Sequence, residues 1–497
     1  MIADRIEKAA LRNRIVAAAE AAGLIKNAMT VAFSGYTACG YPKLIGSELA
    51  RRKKGGEDLK INLTAGAQIG PEVFDELAEA DVLNRVSPLI GSKTLAAAVN
   101  AGRVRYVEQQ MSKLPRLLRS GALGEIDVAV VEAVAVTKDG FIVPSNSVGM
   151  TPNFVNAAKE IIVEINLAQP IELCGLHDVY LPAPPPNTRP IPLTRVGERI
   201  GEPFIRLDPA KIKYIVESNT VEDSIDGSSA GVNPAITANL MNFLELEFKR
   251  NWGGRLFPIQ TGFGNMTNAL LAALGESAFT DLEFFCGGVS EAHIRLMAQG
   301  KIKSLSAGSL KLSPMVRETL KSKPELFREM FVLRNTEVCN GLETVGRLGV
   351  VAVNTGVEID IYGNVNSSHI AGSKVVNGLG GGANFAQSSL LSIVVQPSVT
   401  KNGDISSIVP MVSHHDIIEH DVDVIVTENG VADLRGLDDV ERAELIISRC
   451  AHETYREELR KYLASAAKNG GHHPLCLDEA LSWHSRLKNS GSMRPLN

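Results

Sequence analysis

This 497-residue sequence predicts an α/β fold in two related open domains. Three observations predict it. Short runs of β-formers alternate with helix-period stretches, as when strands and helices layer around a mostly parallel sheet. Glycine turns stand between a strand and the helix that follows, the opening of a βα unit. A proline-dense break, Leu181-Pro-Ala-Pro-Pro-Pro-Asn-Thr-Arg-Pro-Ile-Pro192, interrupts the alternation, which then restarts. Proline at this density resists helix and sheet and favours an extended connector.

Taken in order, residues 5–22 read as an amphipathic helix with Ile6, Ala9, Ala10 and Ile15 among its apolar positions. Residues 29–33 read as a strand running into the turn Ser34-Gly-Tyr-Thr-Ala-Cys-Gly-Tyr-Pro-Lys43, and 44–52 as the next helix. Further strands are expected at 60–63, 104–107, 128–131 and 161–165, with helices at 72–80 and 95–101 among them. The first domain is placed at residues 1–220 and the second at 221–497. The second restarts with a strand at 256–261, the turn Gly262-Phe263-Gly264-Asn265 and a helix at 266–274. A β-rich segment at 350–376 leads into the run Asn377-Gly-Leu-Gly-Gly-Gly-Ala-Asn-Phe385. The halves echo one another. Asp127-Val-Ala-Val-Val-Glu132 parallels Asp423-Val-Ile-Val-Thr-Glu428, and the stretch from Asp139 to Ser147 parallels that from Tyr362 to Ser368. Either an old duplication or similar hairpin chemistry accounts for this.

Composition narrows the function. The formal net charge is −5 and no Lys/Arg block stands out, which argues against a nucleic-acid partner. The six cysteines are scattered without a CxxC pair, so a reducing cytoplasm is the expected compartment. The N-terminus lacks the apolar core of a signal peptide, and no apolar stretch has the length of a membrane span. Neither secretion nor a membrane location is expected.

The glycine loops carry the chemical signal. Glycine tolerates positive φ and lets a ligand approach the main chain, so such loops can aim several N–H groups at one anion or oxyanion. A phosphate or a polarised thioester carbonyl would suit them. Gly262 to Asn265 and Gly378 to Gly382 each follow a predicted strand, so they are expected at the carboxyl edge of one sheet, where open α/β folds bind ligands. Gly35 to Gly40 with Lys43 is not a P-loop, and no complete GxGxxG supports a dinucleotide site. Ser413-His-His-Asp-Ile-Ile-Glu-His420 offers three imidazoles and two carboxylates, but it joins two strand-like stretches without a helical HExxH. A polar turn with hydrogen-bonded histidines, and no metal, is expected there. Cys39 and Cys286 sit beside glycines, where small buried packing residues are expected over nucleophiles. Glu428 follows a buried-looking strand and either serves a ligand or pairs with Arg435.

These segments resemble the acetyl-CoA hydrolase/transferase family within the class I CoA-transferases, in particular succinyl-CoA:acetate and propionyl-CoA:succinate CoA-transferases. The resemblance spans nearly the whole chain. It is carried by Ala32-Phe-Ser-Gly-Tyr-Thr-Ala-Cys-Gly-Tyr-Pro-Lys43, Gln260-Thr-Gly-Phe-Gly-Asn265, Asp360-Ile-Tyr-Gly-Asn-Val-Asn-Ser-Ser-His369, Val376-Asn-Gly-Leu-Gly-Gly381, Ser407-Ile-Val-Pro-Met-Val-Ser-His414 and Val426-Thr-Glu-Asn-Gly-Val-Ala-Asp-Leu-Arg-Gly436. It implies two open α/β domains of the class I type, a homodimer, and an active site in the second half that takes coenzyme A as an acyl-CoA thioester with a small acceptor. Gly262, Phe263, Gly264, Asn265 and Met266 match the CoA-binding loop, and Asn377, Gly381 and Lys401 match further CoA-contacting positions. The backbone at Phe263 and Gly381 matches the oxyanion site, Asn340 an asparagine near the thioester, and Glu428 an active-site carboxylate.

The family's glutamate nucleophile falls on Gly287 when the chain is aligned without gaps from Gly262 to Gly300. Cys286, Gly288, Phe263, Ala383 and Asn384 also depart from the pattern, and Glu291 is the nearest substitute carboxylate. Gly287-Gly288 is similar to the corresponding pair of citrate lyase α subunits, where a thioester exchanges with a free acid. The resemblance thus implies direct acyl transfer without a glutamyl intermediate. The alternatives are a CoA-transferase using another carboxylate, an acyl-CoA hydrolase, and a silent acyl-CoA-binding protein.

Overall fold

A computed structural model describes residues 1–222, 229–254 and 256–494. The chain forms two compact units. One comprises Met1–Asp226 and Glu283–Leu348, and the other Gly227–Leu282 and Gly349–Asn497. A single boundary near residue 220 therefore does not describe them, because 283–348 returns to the first unit. The reason is strand pairing. Ile302–Leu310 runs parallel to Phe331–Arg334, which in turn pairs with His177–Asp178. The loop at 146–149 is stitched to the same segment, Val148 donating to the Gly308 carbonyl and Thr336 to that of Gly149.

The first unit is built on a parallel sheet. Its order is Arg105–Tyr106, Leu83–Ser87, Ile61–Ala65, Thr30–Phe33, Val128–Val136, Glu160–Asn166 and Ile212–Ser218, with Ile142–Pro144 antiparallel to Val128–Val136. The central strands are almost wholly buried, as strands covered on both faces must be: Val128–Val136 is Val and Ala apart from Glu132, and Glu160–Asn166 holds Ile and Val between Glu160, Glu164 and Asn166. Strand order reverses between Thr30–Phe33 and Val128–Val136. The turn from Ser34 to Lys43 therefore leaves its strand at the sheet's switch point.

The helix expected at 5–22 is not continuous. Helical turns at Ile2–Arg5, Ala9–Arg12 and Ala18–Ala22 are separated by extended stretches. Ile6 bridges Val136 and Ile15 bridges Ile215, with Glu7 and Val16 donating to those strand carbonyls. Edge pairing outcompetes the helical period there.

The second unit carries Ile259–Thr261, Val351–Asn354, Leu391–Val395 and Val424–Thr427 as parallel neighbours, closed by antiparallel Gly430–Asp433. The β-rich segment 350–376 is not one strand. It breaks into Val351–Asn354, Glu358–Asp360, Val365–Asn366 and the hairpin His369–Ile370/Lys374–Val375. Among the described residues no helix is long and apolar enough to cross a membrane.

Two histidines of the first unit titrate against folding. Burial pushes the His177 imidazole down to about 4 and that of His293 down to about 3. Both are neutral in the fold, while an unfolded chain takes up protons near 6.5, so stability is full above that pH and falls as pH drops toward 4 and 3. Melting temperature is expected to fall steadily below pH 6.5, and His293→Gln should flatten that fall. Parallel pH–melting curves for wild type and variant would remove His293 from the account.

Candidate functional site

In the second unit one glycine loop leaves the carboxyl end of the sheet, and the other reaches that end at Gly382. Gly262 leaves the carboxyl end of Ile259–Thr261, and Gly264, at φ 111°, precedes the helix Asn265–Glu276. A Cβ added at Gly262 or Gly264 would meet nothing within 4 Å, so the main chain is open to a ligand. Phe263 and Met266 are half-buried and Gly264 and Asn265 exposed, Asn265 donating to the Ala230 carbonyl at 2.9 Å. The second loop does not follow a strand of this sheet, as expected from sequence, but the hairpin ending at Val375. Asn377 is exposed, Gly380 has φ 66°, and Gly381 leads into the helix Gly382–Ser388. Asn354, at the end of its strand, links the neighbouring strand Ile259–Thr261 to the second loop. It accepts from Gln260 Nε2 at 3.3 Å and donates to the Gly382 carbonyl at 3.5 Å. Ala383 and Asn384 are buried.

Glu428 does not pair with Arg435. Its carboxylate accepts from the Ser398 backbone at 2.9 Å and from the Ser398 hydroxyl, while Arg435 binds Glu247 and Asp433. Lys401 is exposed at the start of a tight turn. In the histidine-rich stretch His414 faces Asp416 at 3.2 Å, and Asp416 accepts from Ser368 Oγ at 2.7 Å. Glu419, Asp439 and His473 bring one ligand atom each within 4.8 Å of one another, a grouping that sequence spacing hides.

In the first unit Gly287 lies near the end of the buried strand Leu282–Val289. A Cβ there would stand 3.0 Å from the Tyr36 hydroxyl. That hydroxyl donates to Asn340 Oδ1 at 2.6 Å. Glu291 opens the next helix, and its carboxylate is taken by Arg295, through Nε at 2.9 Å, and by the Ser313 hydroxyl. Cys39 and Cys286 are buried, and burial pushes the Cys39 thiol far up, which leaves it protonated and suited to packing.

Sequence reasoning passed over Lys43 as a failed P-loop lysine. The structure buries its ammonium against Glu132, Glu222 at 2.8 Å and the Tyr41 carbonyl at 2.6 Å. Glu164 accepts from the backbone of Lys43 and Leu44 at 2.8 and 3.0 Å.

Comparison with known proteins decides the family. Residues 2–223 match the model of the acetyl-CoA hydrolase/transferase N-terminal domain, and residues 324–463 that of the C-terminal domain. The chain belongs to the acetyl-CoA hydrolase/transferase family. Within that family the chain is 40% identical to a succinyl-CoA:acetate CoA-transferase of Clostridium kluyveri over 494 residues, covering 99% of this chain and 92% of the relative. It is 36% identical to an acetyl-CoA hydrolase of Schizosaccharomyces pombe over 515 residues, covering 99% of each. Among solved structures, RipA from Yersinia pestis superposes with a TM-score of 0.71 at 20% identity, over 92% of this chain and 98% of that one, a likeness of fold.

Proposed function

We propose that this family member moves the acyl group of a small acyl-CoA thioester onto water, or onto a carboxylate that then takes over the CoA, with no covalent glutamyl intermediate. Membership of the acetyl-CoA hydrolase/transferase family carries the CoA-thioester part, and relatives named for both acceptors support the pair. The open backbone at Gly262 and Gly264, and the link through Asn354 from Gln260 on the preceding strand to Gly382, support a CoA-binding edge that also includes Asn265, Met266, Asn377 and Lys401. The N–H groups of Phe263 and Gly381 would polarise the thioester carbonyl, with Glu428 as a carboxylate fixed by Ser398.

The absence of a side chain at Gly287 supports the direct route. A carboxylate acceptor attacks the thioester carbonyl, expelling CoA thiolate and forming a mixed anhydride. The thiolate then attacks the acceptor-derived carbonyl, leaving a new thioester and the free acid. Glu291 is a poor replacement nucleophile because Arg295 and Ser313 already occupy its carboxylate. The test is turnover of acetyl-CoA with succinate, with acetate and in water alone, followed by hydroxylamine trapping and peptide mass analysis. Turnover without an adduct is expected. An adduct on the peptide containing Glu291 or Glu428 would defeat the direct route. Tight acetyl-CoA binding with no turnover on any acceptor would make the protein a silent binder.

A further inference from the structure

Three glycines wall the Tyr36 ring. A Cβ at Gly149 would lie 3.0 Å from Tyr36 Cδ2, one at Gly287 3.0 Å from Oη, and one at Gly308 3.5 Å from Cδ1. The Gly308 Cβ would also stand 2.9 Å from the Gly287 carbonyl oxygen and 3.1 Å from Cys339 Sγ. The ring is buried, and its loop is closed by paired backbone hydrogen bonds between Tyr36 and Cys39 at 2.9 and 3.1 Å. Glycine at 287 therefore has a structural partner: the room its missing side chain leaves is taken by the tyrosine hydroxyl.

The hydroxyl also fixes an amide. Asn340 Oδ1 accepts from Tyr36 Oη at 2.6 Å and from Cys339 Sγ at 3.2 Å. Burial raises the Tyr36 phenol well above its ordinary range and pushes the Cys339 thiol up to about 12, so both are protonated donors at neutral pH. Two donors converging on one oxygen settle which end of the carboxamide is which. Its other end, Nδ2, is buried with no partner among the described residues, although Asn340 is fully buried. A buried N–H without an acceptor is unfavourable until an oxygen accepts from it.

We propose that Tyr36 is a positioning residue: it fills the space beside Gly287 and holds the Asn340 carboxamide with its NH2 group presented to a ligand oxygen. Naming that oxygen as a thioester carbonyl rests on the acyl-CoA reading; the packing relation does not. One consequence is that a glutamate placed at 287 meets Tyr36 first, so Gly287→Glu alone does not restore a nucleophile to an intact cradle.

The experiment is a cycle of Tyr36→Phe, Gly287→Ala and the pair, read by melting temperature and by kcat and KM for acetyl-CoA. Gly287→Ala should lower the melting temperature by roughly 3 °C or more. The same change should cost clearly less beside Tyr36→Phe, where the nearest ring atom is Cε1 at 3.5 Å. Tyr36→Phe should lower kcat about tenfold with KM within about twofold, the signature of an unclamped donor. Equal melting costs in the two backgrounds would overturn the packing relation. An unchanged kcat in Tyr36→Phe would overturn the clamp. If wild type neither binds nor turns over acetyl-CoA, the acyl-CoA reading fails separately, and the melting cycle still decides the relation between Tyr36 and Gly287.

Discussion

Replacing Lys43 by methionine is expected to destabilise the first unit by about 3–5 kcal/mol, the cost of breaking a buried ion pair by removing one partner. Lys43 is 1% exposed, and Glu132, Glu164 and Glu222 are buried around it. Burial alone lowers the Lys43 ammonium, but Glu132 and Glu222 outweigh it and hold the group charged, above its ordinary range. Burial raises both the Glu132 and the Glu164 carboxyls, and the ammonium opposes that rise. The acids are further held by neutral donors: Asn166 and Gln169 each reach Glu132 at 3.0 Å, and Asn146 reaches Glu222 at 2.8 Å. Methionine fills most of the volume and supplies no charge, so the remaining acids must take up protons or stay uncompensated. Denaturant unfolding at pH 7 measures the loss, and Lys43→Met with Glu132→Gln should recover a large part of it. An unchanged midpoint in the single variant would mean that the cluster is solvated and unimportant.

The same cluster shows where the sequence was legible and where it was not. Strands such as Val128–Val136 and Glu160–Asn166 are readable because parallel strands buried on both faces carry runs of Val, Ile and Ala, here broken only by buried polar residues such as Glu132 and Glu164. The turn after Thr261 was readable from its glycines. Ile6 and Ile15 fit a helical period equally well, and their claim by distant strand edges has no local signature. The return of 283–348 to the first unit depends on pairing with 177–178, which no window of sequence contains. The motif from Ala32 to Lys43 stands out in the sequence, but the partners of its Tyr36 and Lys43 side chains do not. What Lys43 does is set by residues 132 and 222, and what Tyr36 does by Asn340 and three glycines far along the chain. Nothing near Glu428 in sequence announces Ser398 as its partner.

Asn340→Ala is expected to lower acetyl-CoA turnover by about 10²–10³-fold, the usual consequence of deleting one preorganised oxyanion donor. The amide is held from one side by Tyr36 and Cys339, so its NH2 group needs little reorganisation when charge develops on a carbonyl oxygen. Such a donor acts on the transition state more than on the bound thioester, so the loss should fall on kcat while KM changes little. Asn340→Asp separates donation from size. It keeps the shape and an acceptor for Tyr36 but replaces the NH2 group with an oxygen, so it should be as slow as alanine or slower. Turnover within about tenfold of wild type in both variants, or a loss confined to KM, would remove Asn340 from the chemistry. If Asn340→Ala is slow while Tyr36→Phe retains full kcat, the amide acts without its clamp, and the tyrosine's role shrinks to filling the space beside Gly287.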